Sequence, residues 1–86
     1  MQIEGKVIVL GEVQQPSEKF KKKAIVIETP GDYPQKIQVD FANDKIAMLD
    51  KITIGDDVKV SINIKGNEYN GKYYVNLQGF KIEQNF

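Results

Sequence analysis

The sequence predicts an all-β domain built around one core. Three observations carry that expectation. Apolar and polar residues alternate with period two in several short runs, most cleanly where Val58, Val60, Ile62 and Ile64 interleave with Lys59, Ser61, Asn63 and Lys65. Turn chemistry separates the runs, as in Thr29-Pro30-Gly31-Asp32 and Asn70-Gly71. The chain of 86 residues is also short enough that it supports one domain, residues 1–86, with a single core.

The first strand runs from Ile3 to Leu10, with Ile3, Gly5, Val7 and Val9 on one face and Glu4, Lys6, Ile8 and Leu10 on the other. Gln14 to Lys19 reads as a loop, because Pro16 removes a ladder donor and Ser17 favours turns. Phe20 to Thr29 is the second strand. After the Pro-Gly turn, Tyr33 to Phe41 returns as the third, with Ile37, Val39 and Phe41 alternating against Lys36, Gln38 and Asp40. Asn43 is placed to cap a short helix through Leu49, since its side-chain oxygen can accept a first-turn amide and Ile46 and Leu49 form an i, i+3 apolar stripe. Ile52 and Ile54 lead through Gly55-Asp56 into the fourth strand. Gly66 to Gly71 is expected as a polar hairpin loop, and Lys72 to Glu83 as the fifth strand. Within it, Gly79 marks a bulge or bend, because the apolar phase shifts afterwards to Phe80 and Ile82.

Three strands, a short helix and two further strands give the element order of a five-stranded OB-type barrel, with the helix between the third and fourth strands. A β-sandwich needs about seven strands and fits less well. An SH3-like barrel is the closer rival, but it lacks a helix at that position.

Composition narrows the functional classes. The chain holds 12 lysines and 12 acids for a net charge of zero, and it has no arginine. Without a guanidinium fork, phosphate contacts fall to lysines and backbone amides, which argues against sequence-specific duplex readout. Histidine and cysteine are absent, and the two serines, Ser17 and Ser61, lie in a turn and on a wet strand face. No catalytic site, metal site or cofactor is therefore expected. The adjacent Asp56 and Asp57 read as solvated turn acids rather than a cation site. No apolar run is long enough to span a membrane and no secretory cleavage pattern opens the chain, so a cytoplasmic protein is expected.

Two clusters carry binding chemistry. Lys19, Phe20, Lys21, Lys22 and Lys23 place point charges for phosphates beside a flat ring for a base. If Ile25 and Ile27 face inward, parity sends Phe20, Lys22 and Ala24 outward and leaves Lys21 and Lys23 to snorkel or to lie beyond the end of the barrel. Shielding a strand edge is the plainer role for such lysines. The second cluster, Asn67 to Tyr74, occupies the loop between the last two strands, and Tyr69, Lys72 and Tyr74 are its exposed candidates. Tyr73 shares parity with Val75 and Leu77 and is expected in the core. On the third strand, Lys36 and Gln38 extend the outer track, which Asp40 and Glu28 interrupt with negative charge.

These residues also carry a family resemblance. Gly5-Lys6-Val7, Phe20 to Lys23, Tyr33-Pro34 to Phe41, Asp44-Lys45 to Leu49, Ile54 to Ser61, Glu68-Tyr69, Tyr73-Tyr74 and Gln78 to Glu83 together resemble a small bacterial and phage OB-fold domain family of largely unassigned function, similar to single-stranded DNA-binding proteins. The chain departs from it by carrying Lys21, Lys23 and Lys81 where arginine is frequent, and Phe80 where tryptophan is frequent. Those exchanges keep charge and bulk but weaken stacking and forked phosphate contacts. The resulting expectation is non-catalytic binding of single-stranded DNA with little sequence preference. RNA is an alternative ligand, since it offers the same phosphates and bases. The other reading is a protein-assembly module, homo-oligomeric or with a foreign partner, that uses exposed strand edges or Ile8 and Leu10.

Overall fold

The computed structural model describes residues 1–84. In order, the elements are β1 (Gln2–Leu10), β2 (Gln14–Ser17), β3 (Phe20–Glu28), β4 (Lys36–Ala42), a 3-10 helix (Asn43–Leu49), β5 (Asp57–Tyr69) and β6 (Lys72–Gln84). The first half of β1 pairs antiparallel with β5 and its second half with β3. β3 pairs with β4 and β5 with β6, and a parallel bridge between Asp40 and Gln78 joins β4 to β6. These pairings close a ring of five strands, with β2 attached outside it to the start of β3.

The core inside the ring is aliphatic apart from Phe41. Val7, Ile25, Ile27, Val39, Phe41, Val58, Val60 and Ile62 are buried, one parity from each of β1, β3, β4 and β5, with Leu77 and Ile82 of β6 partly buried against them. The helix packs Leu49 into this core, with Ile46 beside it and Ile52 just beyond. Burying side chains of this size contributes about 1.5–3 kcal/mol each relative to leaving them in water.

Several sequence expectations need correction. Gln14–Ser17 is a strand rather than a loop, so the helix follows the fourth strand instead of the third. Pro16 is tolerated because β2 is an edge, where a missing N–H breaks no ladder. β4 begins at Lys36 rather than Tyr33; the preceding loop is closed by Thr29, whose N–H donates to the Gln35 carbonyl at 2.9 Å and whose hydroxyl accepts from the Gln35 N–H at 2.9 Å. Asn43 does not cap the helix. Its φ is 52° and its Oδ1 accepts the Lys21 backbone N–H at 3.0 Å, which ties the helix start to β3. The register of β1 shifts between Val7 and Val9, so Leu10 turns onto the core and Val9 turns out. Leu10 is therefore not part of an outer apolar face. Ser61 is buried rather than wet, where β1 runs alongside β5.

Gly79 sits as expected beside a register shift: Ser61 pairs with Lys81 and Ile62 with Gly79, leaving Phe80 as the extra residue on β6. A Cβ at Gly79 would overlap the Phe41 ring, so the core aromatic requires a glycine there.

Candidate nucleic-acid interface

Strand parity builds the outer face of the ring. Because Ile25, Ile27, Val39 and Phe41 point inward, Phe20, Lys22 and Ala24 of β3 and Lys36, Gln38, Asp40 and Ala42 of β4 point outward. Their register sets Lys22 opposite Ala42, Ala24 opposite Asp40 and Val26 opposite Gln38. Gln78 of β6 lies next to Asp40 across the parallel bridge. Phe20, Lys22, Asp40, Ala42, Asn76 and Gln78 line a shallow depression of about 170 Å³. A neighbouring one of about 430 Å³ runs along Lys36, Gln38, Asp40, Asn76 and Leu77.

The second cluster is not a loop. β5 and β6 continue as a paired hairpin to Tyr69 and Lys72, reversed by Asn70 and Gly71, whose φ values of 52° and 76° give the left-handed conformations that an Asn-Gly hairpin turn demands. This arm leaves the ring, so every residue from Asn63 to Asn76 is exposed. One of its faces carries Lys65, Asn67, Tyr69, Lys72, Tyr74 and Asn76, and Asn76 runs on into the outer face of the ring. The other carries Ile64, Val75 and Tyr73, which are 53%, 68% and 79% exposed. Tyr73 is thus not a core residue, and Ile64 does not continue the buried row of β5; alternation persists, but the ring that would cover it has ended.

The predicted site residues separate by position. Phe20 and Lys22 lie on the outer face, Lys36 at its far end opposite Glu28, and Tyr69, Lys72 and Tyr74 on the polar face of the arm. Lys19 is in the turn between β2 and β3 and, with Lys21, Asn43 and Asp44, lines a separate depression of about 400 Å³. Lys23 is half-buried on the inward parity, opposite Phe41, away from the outer track. Sequence reasoning missed Lys65, Asn76 and Gln78. The alternation Lys72, Tyr74, Asn76, Gln78 was readable, but only the geometry shows that it joins the face of Phe20 and Lys22.

Charge on this face is available to a ligand. Among the described residues the ion pairs are Lys59–Glu4 at 3.7 Å and Lys81–Glu83 at 2.9 Å, so Lys22, Lys36, Lys65 and Lys72 have no ion-pair partner within 4.0 Å. Lys81, by contrast, is engaged and holds the Glu83 carboxyl below its ordinary range through its hydrogen bond and charge. Asp56 is lowered for another reason: the Thr53 backbone N–H donates to it at 2.9 Å and outweighs the opposing effect of burial, helped by the Thr53 hydroxyl at 3.1 Å and the Gln84 amide at 3.0 Å. It pins the turn before β5 and lies apart from the outer face.

Comparison with known proteins agrees with this architecture. A family model described as Domain of unknown function (DUF3127) matches residues 2–83. No curated protein sequence matches the chain. Among solved structures, the chain is similar to the dimeric N-terminal domain of PriB protein from Thermoanaerobacter tencongensis, with a TM-score of 0.74, 17% identity, and coverage of 98% of this chain and 92% of that one. It is also similar to the mitochondrial single-stranded DNA-binding protein of S. cerevisiae, with a TM-score of 0.65, 17% identity and coverage of 98% and 91%. A small single-stranded DNA-binding protein from Streptomyces coelicolor has a TM-score of 0.60 at 9% identity, covering 99% and 92%. At these identities the shared property is the fold, an OB fold of the kind these proteins use.

Proposed function

The chain belongs to the family described as Domain of unknown function (DUF3127), and from that premise we propose that it binds single-stranded DNA without catalysis, on the outer face of a five-stranded OB barrel. One observation carries the proposal: two clusters more than forty residues apart in sequence, one around Phe20 and Lys22 and one around Tyr74, share a single continuous surface through Asn76 and Gln78. Such a surface meets the needs of single-stranded binding, which combines aromatic faces for stacking with a cationic track for the backbone. It also lies on the strands and at the hairpin that OB folds use for oligonucleotides. The similar structures of single-stranded DNA-binding proteins support the reading.

Fluorescence anisotropy with labelled oligo-dT, and with oligo-U for RNA, tests it at low and moderate salt. Binding at micromolar protein in low salt is expected, weakening as salt rises because each neutralised phosphate releases counterion. Phe20→Ala weakens binding more than Lys51→Ala, which alters a lysine beyond the helix. Absence of oligo-dT binding at tens of micromolar protein in low salt overturns the proposal.

A second reading rests on the arm. Ile64, Val75 and Tyr73 form an uncovered apolar stripe, a surface suited to another copy of the chain; the PriB domain with the same fold is dimeric. Light scattering decides this: a strict monomer at high concentration removes self-assembly. The two readings combine readily, since self-association multiplies weak strand-binding sites by avidity.

A further inference from the structure

An acid at the centre of a phosphate-binding face is electrostatically costly, yet Asp40 stands there. It stands where three depressions of the outer face meet, lining that of Phe20, Lys22, Ala42, Asn76 and Gln78 as well as its two neighbours beside Gln38. Neither ion pair among the described residues includes it, and its hydrogen bond from the Gln38 amide is long, at 3.4 Å. A carboxylate offers about four acceptor sites, so most of the capacity of Asp40 faces the depression unused.

We propose that Asp40 makes this depression a guanine-preferring subsite, with Phe20 as the stacking platform and Lys22 beside it. The inference rests on the strand-binding reading above and refines it. Bases splayed from a single strand expose their Watson–Crick edges, and the edges differ in how they meet a carboxylate. Guanine presents N1–H and N2–H side by side, two donors for two carboxylate oxygens, and its O6 is left for the Lys22 ammonium. Adenine and cytosine each present one exocyclic amine beside an unprotonated ring nitrogen that repels the second oxygen. Thymine flanks its single N–H with two carbonyls, the poorest match. Charge-assisted pairs of the guanine kind are the strong ones, and they turn Asp40 from a repulsive intrusion into a base reader.

The test uses the full chain and strands of equal length: oligo-dT, and oligo-dT with every third thymine replaced by guanine, adenine, cytosine or inosine. Good bidentate pairing discriminates by about 1–3 kcal/mol, and the open depression places this site at the lower end, about a fivefold advantage for the guanine strand over oligo-dT. Inosine lacks the N2 amine and is expected to lose most of that advantage with the protein unaltered. Asp40→Asn is expected to reduce it to twofold or less while oligo-dT binds as well or better, because the repulsion is gone; Asp40→Ala serves the same purpose should the amide still pair. Equal binding of guanine and thymine strands overturns the inference and leaves strand binding standing. A full guanine advantage retained by inosine or by Asp40→Ala also overturns it. Failure of every strand to bind overturns both.

Discussion

β5 and β6 pair along their whole length, yet the two halves of that ladder live in different solvents. From Asp57 to Ile62 the strands wall the ring and bury Val58, Val60 and Ile62; from Asn63 to Tyr69 the same alternation continues into water, leaving Ile64 and Val75 bare. Antiparallel pairing continues through both, with the bulge at Phe80 on the ring side of their boundary. What differs is whether a second layer covers the apolar parity, and that makes one half a source of stability and leaves the other half with its apolar residues in water.

Substitutions in the two halves should therefore separate melting temperature from binding. The largest effect is expected at Phe41→Ala, which empties the centre of the core and costs about 3–5 kcal/mol, read as a large fall in thermal melting temperature. Gly79→Ala, at the boundary between the halves, forces a methyl group against the Phe41 ring and is expected to cost about 1–3 kcal/mol by overpacking; unchanged melting would show that β6 can shift away there. Phe20→Ala should leave melting nearly unaltered and weaken oligo-dT binding by about 1–3 kcal/mol, which sharpens the contrast in anisotropy titrations.

Acid should act on the ring side through Asp56. The Thr53 N–H, with the Thr53 hydroxyl and the Gln84 amide, lowers its carboxyl below the ordinary value of 3.8. A group depressed in the folded state contributes its stability above the unfolded pKa and loses it as pH falls through the carboxylate range toward the folded value. Thermal melts from neutral to acidic pH should thus decline, and less steeply for Asp56→Asn, which starts lower. The smallest effect is expected at Val75→Thr on the arm, within about 0.5 kcal/mol in chemical denaturation, because the side chain is already exposed. A larger loss would mean that something covers the arm.

Much of the ring was legible in the sequence because its signals are local. The β4 alternation from Lys36 to Phe41, the Ile46–Leu49 stripe and the phase break at Gly79 each describe a residue's immediate neighbours. The arm was not legible, because Ile64 obeys the same alternation as Ile62 and only the extent of the facing layer tells them apart. Pro16 misled for a related reason: a proline forbids a central strand but permits an edge, and edge status is a property of the whole sheet. Of the candidate site, Phe20, Lys22, Tyr69 and Tyr74 could be placed by parity, whereas Lys23 joined them only by adjacency. The link through Asn76 and Gln78 depends on a contact between β4 and β6, strands far apart in the chain.

That contact has a dynamic consequence. The seam between β4 and β6 is closed by the Asp40–Gln78 bridge, whereas β3–β4 and β5–β6 are bonded along most of their lengths. It is the place where the ring unzips at least cost, so its amides should exchange with solvent before those of the neighbouring ladders. The two lips of the seam are also the two banks of the proposed site, Lys22 and Asp40 on one side and Asn76 and Gln78 on the other. A strand bound across the proposed site would act as a staple that only the closed ring can hold, so ligand should slow exchange at the seam and raise the melting temperature with the logarithm of its concentration once that exceeds the Kd.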